Sequence, residues 1–297
     1  MQDKPLKTVL IVGCGYIGRR VTALLAAEKL HVSGVVRSQK SAEKLAESGA
    51  VAICADLDQL SPDTSWGSTA ADVFYFAPPP PDGEQDLRLR AFLASLSGKL
   101  VVRRFVYIST SAVYGDCHGA WITETQPLQP TTPRGRRRLH AEQQLREWCR
   151  LNKAHWIILR VPGIYGPGKL PLERLRKGTP VLRETDAPYT NRIHADDLAA
   201  ICVAAMQSTS CNEVYNVSDG HPGNMTDYFF RVADAAGLPR PPQVSREAAQ
   251  SVLSAGMLSF LNDSRRMDNS KLLDEMGIEL QYPGLDAGLA ACFQGGD

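Results

Sequence analysis

Short apolar runs alternate with amphipathic segments through the first half of the chain. Several runs have the apolar, largely β-branched or aromatic character of strands buried on both faces: residues 8–12, 31–36, 50–55, 73–76, 104–109 and 156–161. Between them, apolar residues recur at helical spacing in the stretch that ends at Lys29 and over residues 42–48, 86–100 and 139–151. Strands that alternate with helices predict βαβ crossovers and a parallel sheet covered on both sides. The expected fold is therefore α/β, with a Rossmann-like, doubly wound parallel sheet.

The pattern becomes less regular in the second half of the chain. Residues 162–191 are rich in Gly and Pro, and the elements predicted beyond them are helices over 197–206, 226–236 and 270–276 and a strand over 214–217. We expect the sheet domain to comprise residues 1–164 together with about 192–220. Residues 165–191 and 221–297 are expected to form a smaller C-terminal lobe, where a substrate pocket is commonly built.

The composition excludes several classes of protein. Lys and Arg number 33 and Asp and Glu 32 in 297 residues, a balance that argues against a dedicated nucleic-acid binder. No apolar stretch approaches the roughly 18 residues of a membrane span, and the start MQDKPLK does not have the form of a secretory signal. Seven cysteines without a C-x-x-C pair predict free thiols, no disulfide framework and no metal site, as in a cytoplasmic protein.

A glycine-rich turn follows the first predicted strand and opens the first helix. It reads Gly13-Cys14-Gly15-Tyr16-Ile17-Gly18, the G-x-G-x-x-G spacing of dinucleotide-binding sites. Glycines allow a tight turn and a close backbone approach, and the helix N-terminus offers free N–H groups to a pyrophosphate. The turn therefore predicts a dinucleotide site, the alternative being a glycine turn in another kind of α/β protein.

The end of the second strand favours NADP over NAD. NAD sites usually place Asp or Glu there to bind the ribose 2′-hydroxyl, but here Arg37 and Ser38 follow the strand. An arginine attracts a 2′-phosphate, although a solvated surface arginine is the alternative reading. Asp56, with Leu57 beside it, follows the third strand and is placed near the adenine; it equally fits a residue that caps its own turn.

Several further motifs resemble the extended short-chain dehydrogenase/reductase family, which includes nucleotide-sugar epimerases and dehydratases. The resemblance covers nearly the whole chain and is carried by GCGYIG (13–18), RFVYISTSAVYG (104–115), ILRVPGIYGPG (158–168), RIHADDLAA (192–200) and VYNVSDG (214–220). It implies a Rossmann-type core that binds NAD(P), a C-terminal lobe for a small-molecule substrate such as a nucleotide sugar, and a homodimer.

The resemblance also assigns roles to individual residues. Thr110 matches the Ser or Thr that hydrogen-bonds the reacting hydroxyl, and it lies between Ser109, placed at the cofactor, and Ser111, placed at the substrate. The remaining cofactor contacts implied in this way are Ala77 and Pro78 at the adenosine ribose, and Val161 and Pro162 near the nicotinamide.

The chain departs from the family at its catalytic pair, Tyr-x-x-x-Lys. Arg134 stands where the tyrosine is expected and Arg138 where the lysine is expected. A guanidinium with a pKa above about 12 cannot act as an acid or base at pH 7, whereas Arg138 can replace the lysine in binding the nicotinamide ribose. The chain is thus similar to the atypical, tyrosine-less branch of the family. Tyr165 is the candidate replacement base, and a structural tyrosine is the alternative.

Two polar clusters have competing interpretations. The arginines within 134–138 predict either an anion site at a helix start or a solvated face, while the neutral overall charge disfavours a nucleic-acid patch. His194 with Asp196 and Asp197 looks like a metal or acid–base cluster, but the apolar run that follows favours helix capping by one of the aspartates.

The sequence therefore supports two hypotheses of function. The first is an atypical NADP-dependent oxidoreductase or epimerase that acts on an anionic or nucleotide-sugar-like substrate. The second is a redox-inactive NADP(H)-binding sensor or regulatory protein, for which the missing tyrosine is the main support.

Overall fold

The structure is a computed structural model that describes residues 8–61 and 63–294. The start MQDKPLK and the last three residues of the expected C-terminal lobe lie outside the described residues. The described strands are β1 (Thr8–Val12), β2 (His31–Val36), β3 (Val51–Cys54), β4 (Ala70–Tyr75), β5 (Val101–Thr110), β6 (Trp121–Ile122), β7 (His155–Val161), β8 (Gly163–Tyr165), β9 (Val181–Leu182), β10 (Tyr189–Thr190), β11 (Arg192–His194), β12 (Glu213–Asn216), β13 (Gly223–Asn224), β14 (Gln243–Val244) and β15 (Arg266–Met267).

The described helices are α1 (Tyr16–Ala27), α2 (Gln39–Ala46), α3 (Leu87–Ser95), α4 (Pro133–Asn152), α5 (Leu172–Arg176), α6 (Ala195–Gln207), α7 (Met225–Ala235), α8 (Arg246–Val252), α9 (Ala255–Leu258), α10 (Ser270–Met276) and α11 (Leu285–Gln294). Among these helices, none combines the length and apolar character that crossing a membrane requires.

A seven-stranded sheet organises the chain, in the order β12-β7-β5-β4-β1-β2-β3. The ladders that join β3, β2, β1, β4 and β5 are parallel, and Val12 of β1 lies opposite both Val35 and Tyr75. Residues Val9 to Val12 are at most 1% exposed, which explains their continuous apolar sequence. The predicted α/β, Rossmann-like parallel sheet is confirmed. Its strand order reverses at β1, which separates β2 from β4.

The described chain divides into two compact units. Unit 1 contains the described residues up to Thr110 together with Pro133–Arg160 and Leu198–Tyr215. Unit 2 contains Ser111–Thr132, Val161–Asp197 and the described residues from Asn216 onward. In unit 1 a large apolar core lies against the sheet; in unit 2 a smaller core surrounds Tyr165.

This division differs from the expected boundaries in residues 111–132, 161–164, 192–197 and 216–220, which belong to unit 2. Two short ladders within unit 2 account for much of the difference. Trp121 pairs with Arg266 in β6 and β15, and Arg192 pairs with Gly163 in β11 and β8. Ladders of two or three residues are too short to leave a periodic pattern in the sequence.

Helix boundaries also differ from those predicted. α4 begins at Pro133, six residues before the predicted start at residue 139, because its first turns carry arginines rather than apolar residues. α3 ends at Ser95 instead of residue 100, and Asp86 caps its N-terminus by accepting the backbone N–H of Leu89 at 3.0 Å. Apolar periodicity therefore located the buried parts of both helices but not their ends.

A buried ion pair joins α4 to the sheet in unit 1. Glu142 is 0% exposed, and its Oε2 accepts a hydrogen bond from Nη2 of Arg160, itself 2% exposed, at 2.8 Å. The hydroxyl of Ser109 at the end of β5 donates to Oε1 of the same carboxylate at 2.5 Å. Because two charges and a hydroxyl satisfy one another here, loss of the Glu142 carboxylate removes the buried counterion of Arg160.

We expect Glu142→Gln to lower the free energy of unfolding by about 3–5 kcal/mol, since Arg160 would remain charged and buried without its counterion. Urea denaturation followed by circular dichroism measures this change. The matched control is Glu147→Gln on the same helix, which removes an exposed pair with Arg150 and should leave stability nearly unchanged. Equal effects of the two substitutions would contradict the structural role given to Glu142.

Candidate functional site

The three glycines of the turn after β1 have two different roles. Gly13 has φ +97°, and a Cβ there would lie 2.6 Å from the backbone nitrogen of Ala77 after β4. At Gly18 a Cβ would lie 2.6 Å from the carbonyl oxygen of Gly13, whereas at Gly15 it would meet no atom within 4 Å. The first and third glycines therefore permit backbone packing, and the second leaves open space at the start of α1.

The N-terminus of α1 faces this open space without a capping side chain. Gly15 is the N-cap residue and makes no side-chain hydrogen bond to the helix. The first N–H groups of a helix have no partners within the helix and carry the positive end of its dipole. This arrangement suits an anion such as a pyrophosphate.

A cleft of about 600 Å³ opens at this end of the sheet, within unit 1. Its walls come from the segments that follow β1, β2, β3 and β4, so it lies where the strand order reverses, the usual ligand position in open α/β sheets. The predicted cofactor residues that line it are Gly13, Gly15, Arg37, Ser38, Asp56, Leu57, Ala77 and Pro78. Tyr16, Ile17 and Gly18 form the first turn of α1 instead.

The segment after β2 presents a cation and a hydroxyl to the cleft. Arg37 is exposed, and no carboxylate stands among residues 37–42, which directly follow β2. The Ser38 hydroxyl caps α2 by accepting the backbone N–H of Ser41 at 3.3 Å, and the two serine hydroxyls lie 2.9 Å apart. Asp56, from the next strand end, accepts the N–H of Asp58 at 3.0 Å and so caps its own turn.

Arg88 of α3 also lines the cleft, and the sequence analysis did not identify it. Its guanidinium forms a two-pronged pair with Asp58, which lies thirty residues earlier in the chain. No local signal marks this pair, because Asp58 lies in the connection between β3 and β4, Arg88 lies on α3, and the two meet only in the folded chain.

The predicted catalytic strand end and the arginine that replaces the family lysine lie close together in unit 1. Arg138 Nη1 donates to the Tyr107 hydroxyl at 2.9 Å and to the carbonyl oxygen of Ile108 at 3.2 Å. Burial raises the pKa of Tyr107 to about 12, so its hydroxyl stays protonated and accepts from Arg138. Thr110 is half-buried at the end of β5. The hydroxyl of Ser109 donates a hydrogen bond to the carboxylate of Glu142, which is a structural contact.

The other arginines at the start of α4 contact the loop that precedes α3. Arg136 pairs with Glu84 at 2.7 Å, and Arg137, which is buried, donates to the carbonyl oxygen of Gly83. Arg134 is half-buried at the position where the family has its tyrosine. Arg136 and Arg137 therefore bind the loop that precedes α3. This role is neither of the two alternatives that the sequence left open, an anion site and a solvated face.

Tyr165 in unit 2 is enclosed by protein. It is 0% exposed, packs in the apolar core of that unit and donates its hydroxyl to the carbonyl oxygen of Gly284 at 3.4 Å. Burial raises the pKa of its hydroxyl, which opposes a role as a base. These surroundings favour the structural reading of Tyr165. Ser111, Val161 and Pro162 also belong to unit 2, and their roles stay predictions.

The prediction that Asp196 or Asp197 caps α6 is wrong. The helix begins one residue earlier, at Ala195, and His194 occupies the capping position, where its Nδ1 accepts the N–H of Asp196 at 3.3 Å. The Asp197 carboxylate instead accepts the backbone N–H groups of Gln281 and Tyr282 at 2.7 and 3.0 Å. Among the described residues, no group of three or more His, Cys, Asp or Glu side chains is arranged to hold a metal ion.

A second, smaller cavity of about 40 Å³ lies within unit 2. The Arg192 guanidinium lies 4.0 Å above the Tyr228 ring, and its Nη1 donates to the carbonyl oxygen of Asn191, but its buried Nε has no hydrogen-bond partner. Asp219 lines the same cavity, and burial raises the pKa of its carboxyl to about 6. His221, Asp227 and Arg231 complete the charged or titratable groups of the lining.

Comparison with known proteins adds evidence at the level of the whole chain. Protein YeeZ of Escherichia coli K12 is 27% identical over 291 residues, covering 94% of this chain and 97% of YeeZ. A conserved protein of unknown function from Silicibacter pomeroyi has a structure with a TM-score of 0.79 and 32% identity, covering 96% of this chain and 98% of that one. MoeE5 in complex with UDP-glucose and NAD has a TM-score of 0.76 at 21% identity, with 97% of each chain covered, and supports the fold alone.

The sequence profile of the NAD dependent epimerase/dehydratase family matches residues 9–218, which include the glycine turn, β5 and the start of α4. This match extends over more than half of the chain and agrees with the strand order and the position of the cleft. The chain therefore belongs to the NAD dependent epimerase/dehydratase family.

Proposed function

We propose that the chain is an NADP(H)-dependent oxidoreductase or epimerase that acts on an anionic, nucleotide-sugar-like small molecule. One observation carries the proposal: the cleft joins an open glycine turn to an exposed arginine, with no carboxylate after β2. The family name refers to NAD, and MoeE5 was solved with UDP-glucose and NAD, so Arg37 is the reason for preferring NADP here. A cytoplasmic location, supported by the cysteines being free, and a homodimer are part of the proposal.

The lining of the cleft fits the pyrophosphate and the adenosine half of a dinucleotide. The open face of Gly15 and the N-terminus of α1 suit the pyrophosphate. Arg37, the Ser38 hydroxyl and the N-terminus of α2 offer donors and positive charge to a 2′-phosphate. Leu57 and Ala77, both buried, give the apolar walls that an adenine requires. When bound, the cofactor would supply a hydride donor or acceptor.

Two residues at the end of β5 and on α4 are proposed to prepare the reaction. Thr110 would hydrogen-bond the hydroxyl of the substrate, and Arg138, fixed by Tyr107 and Ile108, would bind the nicotinamide ribose. Because a guanidinium does not lose its proton at pH 7, Arg138 holds charge but moves no proton. The proton of the reacting hydroxyl would therefore pass to a group other than Arg138. Ser111, Val161 and Pro162 keep the roles that the resemblance implies.

We also propose that the cavity of unit 2 binds an anion. A buried N–H group of a guanidinium without a partner costs about 1–3 kcal/mol, and a carboxylate or phosphate oxygen would provide the missing acceptor. Asp219 opposes such an anion when it is ionised, and it is ionised above a pH of about 6. The site would thus bind an anion through Arg192 and weaken as Asp219 loses its proton.

A redox-inactive NADP(H) sensor is the second candidate. It is favoured by Arg134 at the tyrosine position and by the burial of Tyr165, which together leave no tyrosine base among the residues that the resemblance assigns to catalysis. The two candidates share the cofactor site and differ in turnover alone.

Arg37→Ala should weaken NADPH binding about ten- to a hundredfold, because one charge-assisted contact to a phosphate contributes roughly 1.5–3 kcal/mol. NADH binding should change less than twofold, since NADH has no 2′-phosphate. Parallel titrations that follow cofactor fluorescence measure both affinities, with Arg90→Ala, an exposed arginine elsewhere in unit 1, as the matched control. Equal losses for both cofactors would contradict the assignment of Arg37.

If the chain is an enzyme, Thr110→Val should reduce turnover at least about a hundredfold and leave NADPH affinity unchanged, because it removes only the hydroxyl that orients the substrate. The measurement is the absorbance of NADPH or NADP with a panel of UDP- and dTDP-sugars, with product analysis for epimerisation. Thr110→Ser, which restores the hydroxyl, is the matched control. Tight NADPH binding without turnover of any compound would favour the sensor instead.

Asp219→Asn should strengthen sulfate binding at pH 7.5 by about three- to tenfold, the size of a coupling of roughly 1 kcal/mol between neighbouring charges. The gain should be smaller at pH 5, where the wild-type carboxyl, with a pKa of about 6, already carries its proton. Sulfate-dependent thermal stability gives the affinity, and Arg192→Gln corrects for the general salt effect. A gain of the same size in a chain that also carries Arg192→Gln would contradict a site at Arg192.

A further inference from the structure

Arg88 connects two of the loops that line the cleft. Its Nε and Nη2 donate to the two carboxylate oxygens of Asp58, each at 2.6 Å. Its Nη1 donates to the carbonyl oxygens of Pro78 and Pro79 at 3.1 and 3.3 Å. One guanidinium on α3 thus holds the segment after β3 and the segment after β4 at the same time.

Asp58 lies within the electrostatic reach of both arginines of the cleft. The hydrogen bond from Arg88 lowers the pKa of the Asp58 carboxyl most, and the positive charge of Arg37 lowers it further. Asp58 is therefore ionised at neutral pH, and its side chain is 43% exposed. Without Arg88, a free carboxylate would lie close enough to Arg37 to attract its guanidinium and to repel a phosphate beside it.

We propose that Arg88 determines the cofactor preference of the cleft by neutralising Asp58 and holding it away from Arg37. The inference rests on the proposed NADP(H) site, which it deepens. With the Arg88–Asp58 pair formed, Arg37 and Asp56 are the charged side chains of the cleft lining outside that pair, and Asp56 comes from a different strand end and caps its own turn. With Arg88 removed, Asp58 and Arg37 neutralise each other, and the cleft loses its advantage for a 2′-phosphate over a 2′-hydroxyl.

A pair of single substitutions and their combination separate this effect from simple loss of structure. Arg88→Gln removes the cation and leaves a hydrogen-bonding side chain, whereas Asp58→Asn removes the carboxylate and leaves an amide. If Arg88 acts by neutralising Asp58, the double variant regains the preference that Arg88→Gln loses. If Arg88 acts only by holding the loops, the double variant is at least as impaired as the single one.

The experiment is a fluorescence titration of NADPH and NADH with the wild-type chain and the three variants at one low ionic strength. Arg88→Gln should reduce the ratio of NADPH to NADH affinity about tenfold or more, because unpaired charges at short range are weakly screened. Asp58→Asn should keep or raise the ratio, and the double variant should return it to within about twofold of wild type. Arg90→Gln, exposed on the same helix, is the matched control and should change nothing.

The possible results distinguish the inference from the proposed function. A wild-type chain that binds neither cofactor overturns both. A wild-type chain that prefers NADPH, with Arg88→Gln weakening both cofactors equally or the double variant failing to regain the preference, overturns the role of Arg88 alone. Circular dichroism verifies that each variant is folded. If Arg88→Gln does not fold, Arg88→Lys replaces it: the retained charge should keep the NADPH preference, and its loss in that variant would overturn the inference.

Discussion

The close approach of two backbone segments determines the geometry of the cleft. The chain leaves β1 at Gly13 and β4 at Ala77, and at this point the segments are so close that a methyl group on Gly13 would lie 2.6 Å from a backbone nitrogen. The left-handed conformation of Gly13 lets the turn reverse within this space, so that Gly15 and the first N–H groups of α1 face the opening. An anion can then approach the backbone itself, and the side chains at the neighbouring strand ends determine which anion binds.

Arginines have several distinct roles in this chain, and these roles differ with the burial of the side chain. Arg160 is fully buried and balances Glu142, whereas Arg136 and Arg137 hold the loop before α3. The four arginines within residues 134–138 oppose the dipole of α4, an unfavourable arrangement that the contacts of Arg136 and Arg137 offset. Arg37, in contrast to these three, is exposed, and neither a hydrogen bond nor an ion pair joins its side chain to another described residue. The proposed selectivity for NADP depends on this exposed guanidinium.

The sequence predicted the parts of the molecule that depend on local pattern. Apolar runs identified the central strands, and the glycine spacing between a strand and a helix indicated the cleft. Contacts between residues far apart in the chain leave no local pattern in the sequence. Arg88 pairs with Asp58, thirty residues earlier, and Arg136 pairs with Glu84, fifty-two residues earlier. Unit 2 was the least predictable part, because its short ladders and proline-rich loops have no periodicity from which pairing can be inferred.

The central claim is that Arg37 receives a 2′-phosphate in the cleft, and phosphorus NMR of bound NADPH tests it most directly. A free phosphate monoester has a second pKa of about 6, and a neighbouring guanidinium stabilises the dianion. The account predicts that the 2′-phosphate resonance of NADPH bound to the wild-type chain titrates at a pH about one unit or more below that of free NADPH. A bound 2′-phosphate that titrates at the same pH as in solution would contradict the account.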